Sequence, residues 1–179
     1  MFGQLHCLVI SSDEQVNQAY RDPAVIQQLR SWWGEAIVRP DGQVDRGRIA
    51  DIIFSDPGQR LKLEGLLHPK VEHLRQVLMS RAADDPQVPA IIWDTPLLFE
   101  TGLYHQCDAI VFVEAPLAQR LDRVRQTRGW TPDELNRREN SQWPLDKKRE
   151  ISDYTVDNTA DAEFVRGQVR EVLFRIISN

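Results

Sequence analysis

Two carboxylates in this chain stand where short apolar runs end. Leu5-His6-Cys7-Leu8-Val9-Ile10 gives way to Ser11-Ser12-Asp13, and Ile91-Ile92-Trp93 gives way to Asp94. Apolar runs of this length, bounded by breakers, read as buried strands. Open α/β sheets bind ligands in the crevice beyond the carboxyl ends of their strands. A carboxylate placed there can accept a proton from a substrate hydroxyl or hold Mg²⁺ through water. For Asp13 the competing reading is a helix N-cap, and on residue type alone the cap is favoured. For Asp94 that reading is weaker, because Thr95-Pro96 is a poor start for a regular helix.

A second group of residues suits anions. Nine of the 22 Lys and Arg fall between Arg120 and Arg149, on a chain of net charge −5. The fork of an arginine matches phosphate oxygens, and cationic lids neutralise charge that develops in phosphoryl transfer. Solvated arginines paired with Asp122, Asp133, Glu134 and Glu139 are the equal alternative. His68, before Pro69, could orient a ligand, although such a histidine more often satisfies its own helix end. The four histidines have no metal-site spacing. Trp32, Trp33, Trp130 and Trp143 could stack on a purine, but core packing is the commoner use.

The elements that must position these groups fit one domain of 179 residues, 41% hydrophobic and 27% charged. The negative charge argues against a general nucleic-acid binder. With no apolar run of membrane-span length and no signal-peptide pattern, a cytoplasmic location is expected. Cys7 and Cys107 are expected to be reduced and buried. Further strands are expected at Ala109–Val113, ending on Glu114, and at Tyr154–Val156. Asp22-Pro23 starts a helix that ends at Gly34, and another short helix covers Arg48 to Phe54. Ser55-Asp56-Pro57 starts a helix that His68-Pro69 breaks, with a further helix beyond. Pro116 opens a helix that stops at Arg128-Gly129, and Thr131-Pro132-Asp133-Glu134 reads as a capping box. Val165, Val169, Val172 and Ile176 mark a C-terminal amphipathic helix. The class is α/β with a mostly parallel sheet flanked by helices.

Taken in order, these residues match a known pattern. It runs through Val9-Ile10-Ser11-Ser12-Asp13, Asp41-Gly42 with Asp45-Arg46 and Ile53-Phe54, and Leu67-His68-Pro69. It continues through Asp94-Thr95-Pro96-Leu97-Leu98-Phe99-Glu100-Thr101-Gly102-Leu103, then Arg138 with Gln142, Lys148, Asp153-Tyr154 and Asp157-Asn158. Over essentially the whole chain this resembles dephospho-coenzyme A kinase, a family of P-loop kinases. The resemblance implies phosphorylation of the ribose 3′-hydroxyl of dephospho-CoA by ATP with Mg²⁺. It also implies a P-loop NTPase-like single domain, with a helical CoA-binding insertion at about 21–82 and a helical lid at about 117–150. On the same basis Asp13 is the expected base, as the second acid of a D-x-D segment whose first acid is here Ser11. Asp94 is expected near Mg²⁺, through water. His68, Arg46 and Leu97 fall on the substrate side, and Arg128, Arg138 and Lys148 on the phosphates. Asn158 sits where the family approaches the adenine.

One departure bears on activity. The family opens with a strand, the loop G-x-x-x-x-G-K-[ST] and a helix, and that loop's N–H groups and lysine hold the β- and γ-phosphates. Here Gly3 is the only glycine before Gly34, and no lysine precedes Lys62. Met1–Leu5 then reads as the tail of that helix, and a central first strand is expected to be missing. An incomplete form of a normal kinase is favoured over a degenerate relative, and the 179 residues by themselves are expected to be inactive. Two other readings are a dephospho-CoA-binding protein without catalysis and an interaction protein whose partner donates the strand.

Overall fold

The strands of this chain are four residues long, and each lies parallel to one partner. β1 (Leu8–Ser11) pairs with β2 (Ile91–Asp94) in the register Leu8↔Ile91 to Ser11↔Asp94. β3 (Val111–Glu114) pairs with β4 (Tyr154–Asp157), Val111↔Tyr154 to Glu114↔Asp157. The computed structural model describes residues 1–178. It divides into two units, Leu8–Thr95 and Met1–Cys7 with Pro96–Asn179, each holding one strand pair. The expected α/β class with parallel strands flanked by helices is what the chain forms.

Two strands begin later than the apolar runs suggest. Phe2–Leu5 is a turn of 3₁₀ helix, and His6 takes a left-handed φ of 63°. A ladder cannot run through that conformation, so β1 starts at Leu8. Ahead of β3, the Ile110 N–H donates to Asp153 Oδ2 at 2.8 Å, and Ile110 O accepts from the N–H groups of Asp153 and Tyr154. That cap takes the place of ladder pairing at residues 109–110.

In the first unit α1 (Ser12–Ala19) follows β1 directly, and α2 (Pro23–Trp33), α3 (Arg46–Ser55) and α4 (Pro57–Ala83) fill the stretch before β2. Local chemistry starts each of the last three. Asp22 accepts from Ala24 N–H, Asp45 from Gly47 and Arg48, and Asp56 from Gly58 and Gln59, with proline at the first position of α2 and α4. Val25 and Leu29 of α2 are fully buried, against Ile49 of α3 and Leu63 and Leu67 of α4.

The expected break at His68-Pro69 does not occur, and α4 runs through it for 27 residues. A proline inside a helix costs about 3 kcal/mol. Burial of Leu63 and Leu67 before it and of Arg75 after it offsets that cost.

In the second unit come α5 (Leu117–Arg128), α6 (Pro132–Asn140), α7 (Leu145–Ile151) and α8 (Ala162–Ser178). Gly129 ends α5 at φ 67°, and Thr131 caps α6 through Glu134 N–H. The reciprocal half of the capping box is absent, because Glu134 pairs with Arg137 and Arg138 instead. Val165, Val169 and Val172 of α8 bury against Val156 of β4. The Gln168 amide completes that packing, accepting from Asp157 N–H and donating to Asp157 O, both at 2.9 Å. Neither cysteine is in a disulfide, and Cys7 is buried as expected, whereas Cys107 is half-buried. No described helix is long and apolar enough to cross a membrane.

Candidate functional site

Hydrogen-bonding register brings the two aspartates to one edge. The last pair of the first ladder is Ser11↔Asp94. One residue further on each chain, the hydroxyls of Ser12 and Thr95 lie 2.7 Å apart. Asp13 follows Ser12 and Asp94 precedes Thr95, so the carboxylates flank a fixed hydroxyl pair at the carboxyl end of β1 and β2. Asp13 is not the N-cap of α1. Ser11 holds that position, without a side-chain bond, and Asp13 lies in the first turn. A carboxylate there is favoured by the unpaired N–H groups and the helix dipole. Both aspartates are exposed. Neither makes a hydrogen bond or ion pair with another described side chain, so both are open to a ligand.

For the Mg²⁺ that the resemblance implies, the test is donor chemistry. Carboxylate and hydroxyl oxygens are hard donors of the kind Mg²⁺ takes. No group of three or more His, Cys, Asp or Glu among the described residues could hold a metal alone. Mg²⁺ ordinarily keeps water and uses one or two carboxylates together with substrate phosphates, so this edge fits an ion brought in with a nucleotide.

Other expected site residues of this unit sit elsewhere. Arg46, first residue of α3, donates through Nη1 to Asn17 Oδ1 and lies 5.2 Å from the centre of the Tyr20 ring. His68 is exposed in mid-helix on α4, so it has no helix end to satisfy. A residue that sequence reading passed over lies beneath β2. Arg75 is 6% exposed, paired with Glu72, and its guanidinium stands 4.5 Å from the Trp93 ring centre, next to Asp94. The only local signal for it was the Glu72/Arg75 spacing, which is common on exposed helices.

The second unit carries the arginine-rich hairpin. The guanidinium groups of Arg128 and Arg138 stand 4.9 and 4.2 Å from the Trp130 ring centre. Arg138 also pairs with Glu134 at 2.7 Å. Arg137 and Arg138 together hold the Glu134 carboxyl below the usual glutamate range. Arg120 forks onto Glu139, and Arg149 meets Glu114 at 2.9 Å.

Lys148 is placed differently from an open phosphate ligand. It is 7% exposed, and Nζ donates to Glu100 Oε1 at 2.8 Å and to Gln142 Oε1 at 2.9 Å. Glu100 Oε1 also accepts the Trp143 N–H at 2.7 Å, while Oε2 is buried with no hydrogen-bond partner among the described residues. Burial pushes the Glu100 carboxyl up, but Lys148 and the Trp143 N–H more than offset it, leaving the group below the usual range. Trp143 stacks on Phe99, with ring centres 5.8 Å apart. Leu97 is exposed, and Asn158 donates its backbone N–H to Glu114 O at 2.9 Å. The Asn158 carbonyl accepts from Arg123.

Comparison with known proteins agrees across nearly the whole chain. The family model described as dephospho-CoA kinase matches residues 1–163. A dephospho-CoA kinase of Synechococcus elongatus is 35% identical over 153 residues, covering 86% of this chain and 72% of its own length. One from Rhodopirellula baltica is 30% identical over 174 residues, covering 95% and 80%. Among solved structures, TT1252 from Thermus thermophilus superposes with a TM-score of 0.78 at 29% identity, over 97% of this chain and 87% of that one. The dephospho-CoA kinase of Campylobacter jejuni, at 20% identity and a TM-score of 0.67, shares the fold.

Proposed function

The chain belongs to the dephospho-CoA kinase family, and from that premise we propose that its substrate is dephospho-CoA and its reaction is phosphoryl transfer from ATP. The observation that carries this reading is the pair of open carboxylates, Asp13 and Asp94, flanking the Ser12–Thr95 hydroxyl bond. Asp13 accepts the proton of the ribose 3′-hydroxyl as the O3′–P bond forms and the bond from the γ-phosphorus to its bridging oxygen breaks, releasing ADP. Asp94 would hold Mg²⁺ through water, and the ion would supply charge neutralisation for the transferring phosphoryl group. His68, Arg46 and Leu97 contribute to substrate binding. Arg128 and Arg138 face the nucleotide phosphates, Lys148 offers its remaining N–H, and Asn158 lies by the adenine. The protein works in the cytoplasm.

We propose further that the 179 residues by themselves bind dephospho-CoA without transferring phosphate. They contain no G-x-x-x-x-G-K-[ST] loop. Of the three cations left to hold ATP, Arg138 is engaged by Glu134 and Trp130 and Lys148 by Glu100, while Arg128 lies over Trp130. Such groups replace a nest of backbone N–H donors poorly.

Titration calorimetry of the 179-residue chain with dephospho-CoA and, separately, with ATP tests both statements. Heat with dephospho-CoA, none with ATP and no ADP formed is the expected result. No uptake of dephospho-CoA would remove the substrate assignment. Formation of CoA from dephospho-CoA and ATP would refute the absence of transfer.

A further inference from the structure

In the second unit, α8 carries apolar side chains on both of its faces. Val165, Val169, Val172 and Leu173 are buried, the three valines against Val156 of β4. Phe164, Phe174 and Ile177 are 53%, 66% and 51% exposed. At about 100° per residue these three fall, with Gly167, in the half of the helix turned away from the valines. A single exposed apolar side chain needs no explanation. Here two of the three exposed phenylalanines among the described residues stand on one helix, in a stripe about 20 Å long. A stripe of that kind marks a surface that is covered by something.

The order of residues along the stripe is symmetric. Its midpoint lies between Arg170 and Glu171, with Gly167 three residues before Arg170 and Phe174 three after Glu171. Phe164 and Ile177 lie six residues out on the same two sides. A two-fold axis through the midpoint, relating two antiparallel copies of α8, sets each Phe174 opposite the Gly167 of the other copy. Gly167 is exposed and has open space where its Cβ would be, so it leaves a hollow for the ring. The same operation gathers both copies of Arg170 and Glu171 at the axis in a neutral cluster. Arg170 has no carboxylate partner among the described residues, whereas Arg166 and Arg175 pair with Glu163 and Glu171. Phe164 of each copy comes level with Ile177 of the other.

We propose that this face of α8 is the contact between two copies of the chain, packed antiparallel about a two-fold axis. A two-fold interface uses one patch twice, so the patch must complement itself. The stripe does so in shape, through Phe174 and Gly167, and in charge, through Arg170 and Glu171. A different protein as partner would impose no such symmetry on it. The other exposed apolar side chains of this unit are spread over several elements and form no comparable stripe. Three large apolar side chains per copy make a small interface, so the dimer is expected at micromolar concentrations. The inference does not depend on the substrate reading above.

Sedimentation equilibrium of the 179-residue chain, from about 1 to about 200 µM, tests it. Twice the monomer mass at the upper concentrations is the expected result, and a monomer throughout overturns the proposal. Gly167→Gln fills the hollow and Phe174→Gln removes the ring, and each should weaken association at least about tenfold. Gly167→Gln replaces a mid-helix glycine in open space, so its melting temperature at low concentration should not fall below the parent's. Its loss of association therefore cannot be attributed to misfolding. Arg170→Glu puts four acids at the axis, and Glu171→Arg puts four bases there. Each of these variants alone should be monomeric, and an equimolar mixture should form a one-to-one dimer. A dimer that survives Gly167→Gln and Phe174→Gln lies elsewhere and overturns the assignment to α8. Failure of the two charge variants to associate when mixed overturns the antiparallel arrangement.

Discussion

Ser12 Oγ and Thr95 Oγ1 share a 2.7 Å hydrogen bond across the carboxyl ends of two parallel strands. The residues lie 83 apart in sequence, and the bond joins the start of α1 to the loop leaving β2. It therefore limits how far the backbones bearing Asp13 and Asp94 can separate. A double-mutant cycle measures this. Ser12→Ala and Thr95→Val should each cost about 0.5–1.5 kcal/mol in denaturant unfolding. The double variant should cost less than their sum, and strict additivity would show that the hydroxyl pair contributes nothing.

Lys148 and Glu100 form a buried charge pair with side chains 8% and 16% exposed. Glu100→Gln keeps an acceptor for the Trp143 N–H but strands the ammonium, and should cost about 3–5 kcal/mol. Combining it with Lys148→Met removes the stranded charge and should return much of that loss. Unfolding free energies in urea decide it, and a double variant as unstable as Glu100→Gln would contradict the account.

Acid should weaken the fold through the same carboxylate. Glu100 titrates below its ordinary range when folded, as does Asp22, held down by Lys70 and the Ala24 N–H. For a depressed carboxyl the unfolded chain takes up protons first as pH falls. The stabilisation is therefore whole above the ordinary carboxylate range and is lost as pH drops through the lower folded values. Melting temperature measured from neutral to acid pH should fall in that window, and Glu100→Gln should show a shallower fall than the parent.

Pro69 is exposed in mid-helix, where it denies Gly65 O its usual donor. Pro69→Ala should raise stability by about 1–3 kcal/mol. Gly65→Ala, with open space where its Cβ would go, should add about 0.5–1 kcal/mol. A thermal melt that does not rise for Pro69→Ala would contradict a local cost of the proline in α4.

Helix starts were legible wherever the determinant is local. Asp22-Pro23, Asp56-Pro57 and Thr131-Pro132 carry cap and first-turn proline in adjacent residues, and each opens a helix at the expected place. The same holds for the buried Val165, Val169 and Val172, whose spacing is their helix face. The continuity of α4 through Pro69 was not legible, because buried side chains on both sides of the proline outweigh a local penalty.

The sequence alone determined the α/β class, the family and the two aspartates at strand ends, since motifs and hydrophobic periods are properties of neighbouring residues. Only the tertiary structure decided which cations are free. Lys148 and Arg21 look alike in sequence as basic residues, yet one is buried against Glu100, 48 positions away, and the other, in the turn after α1, opens into a cavity beside Arg46. Charge pairing depends on distance in space and on desolvation, and neither is written in the order of the residues.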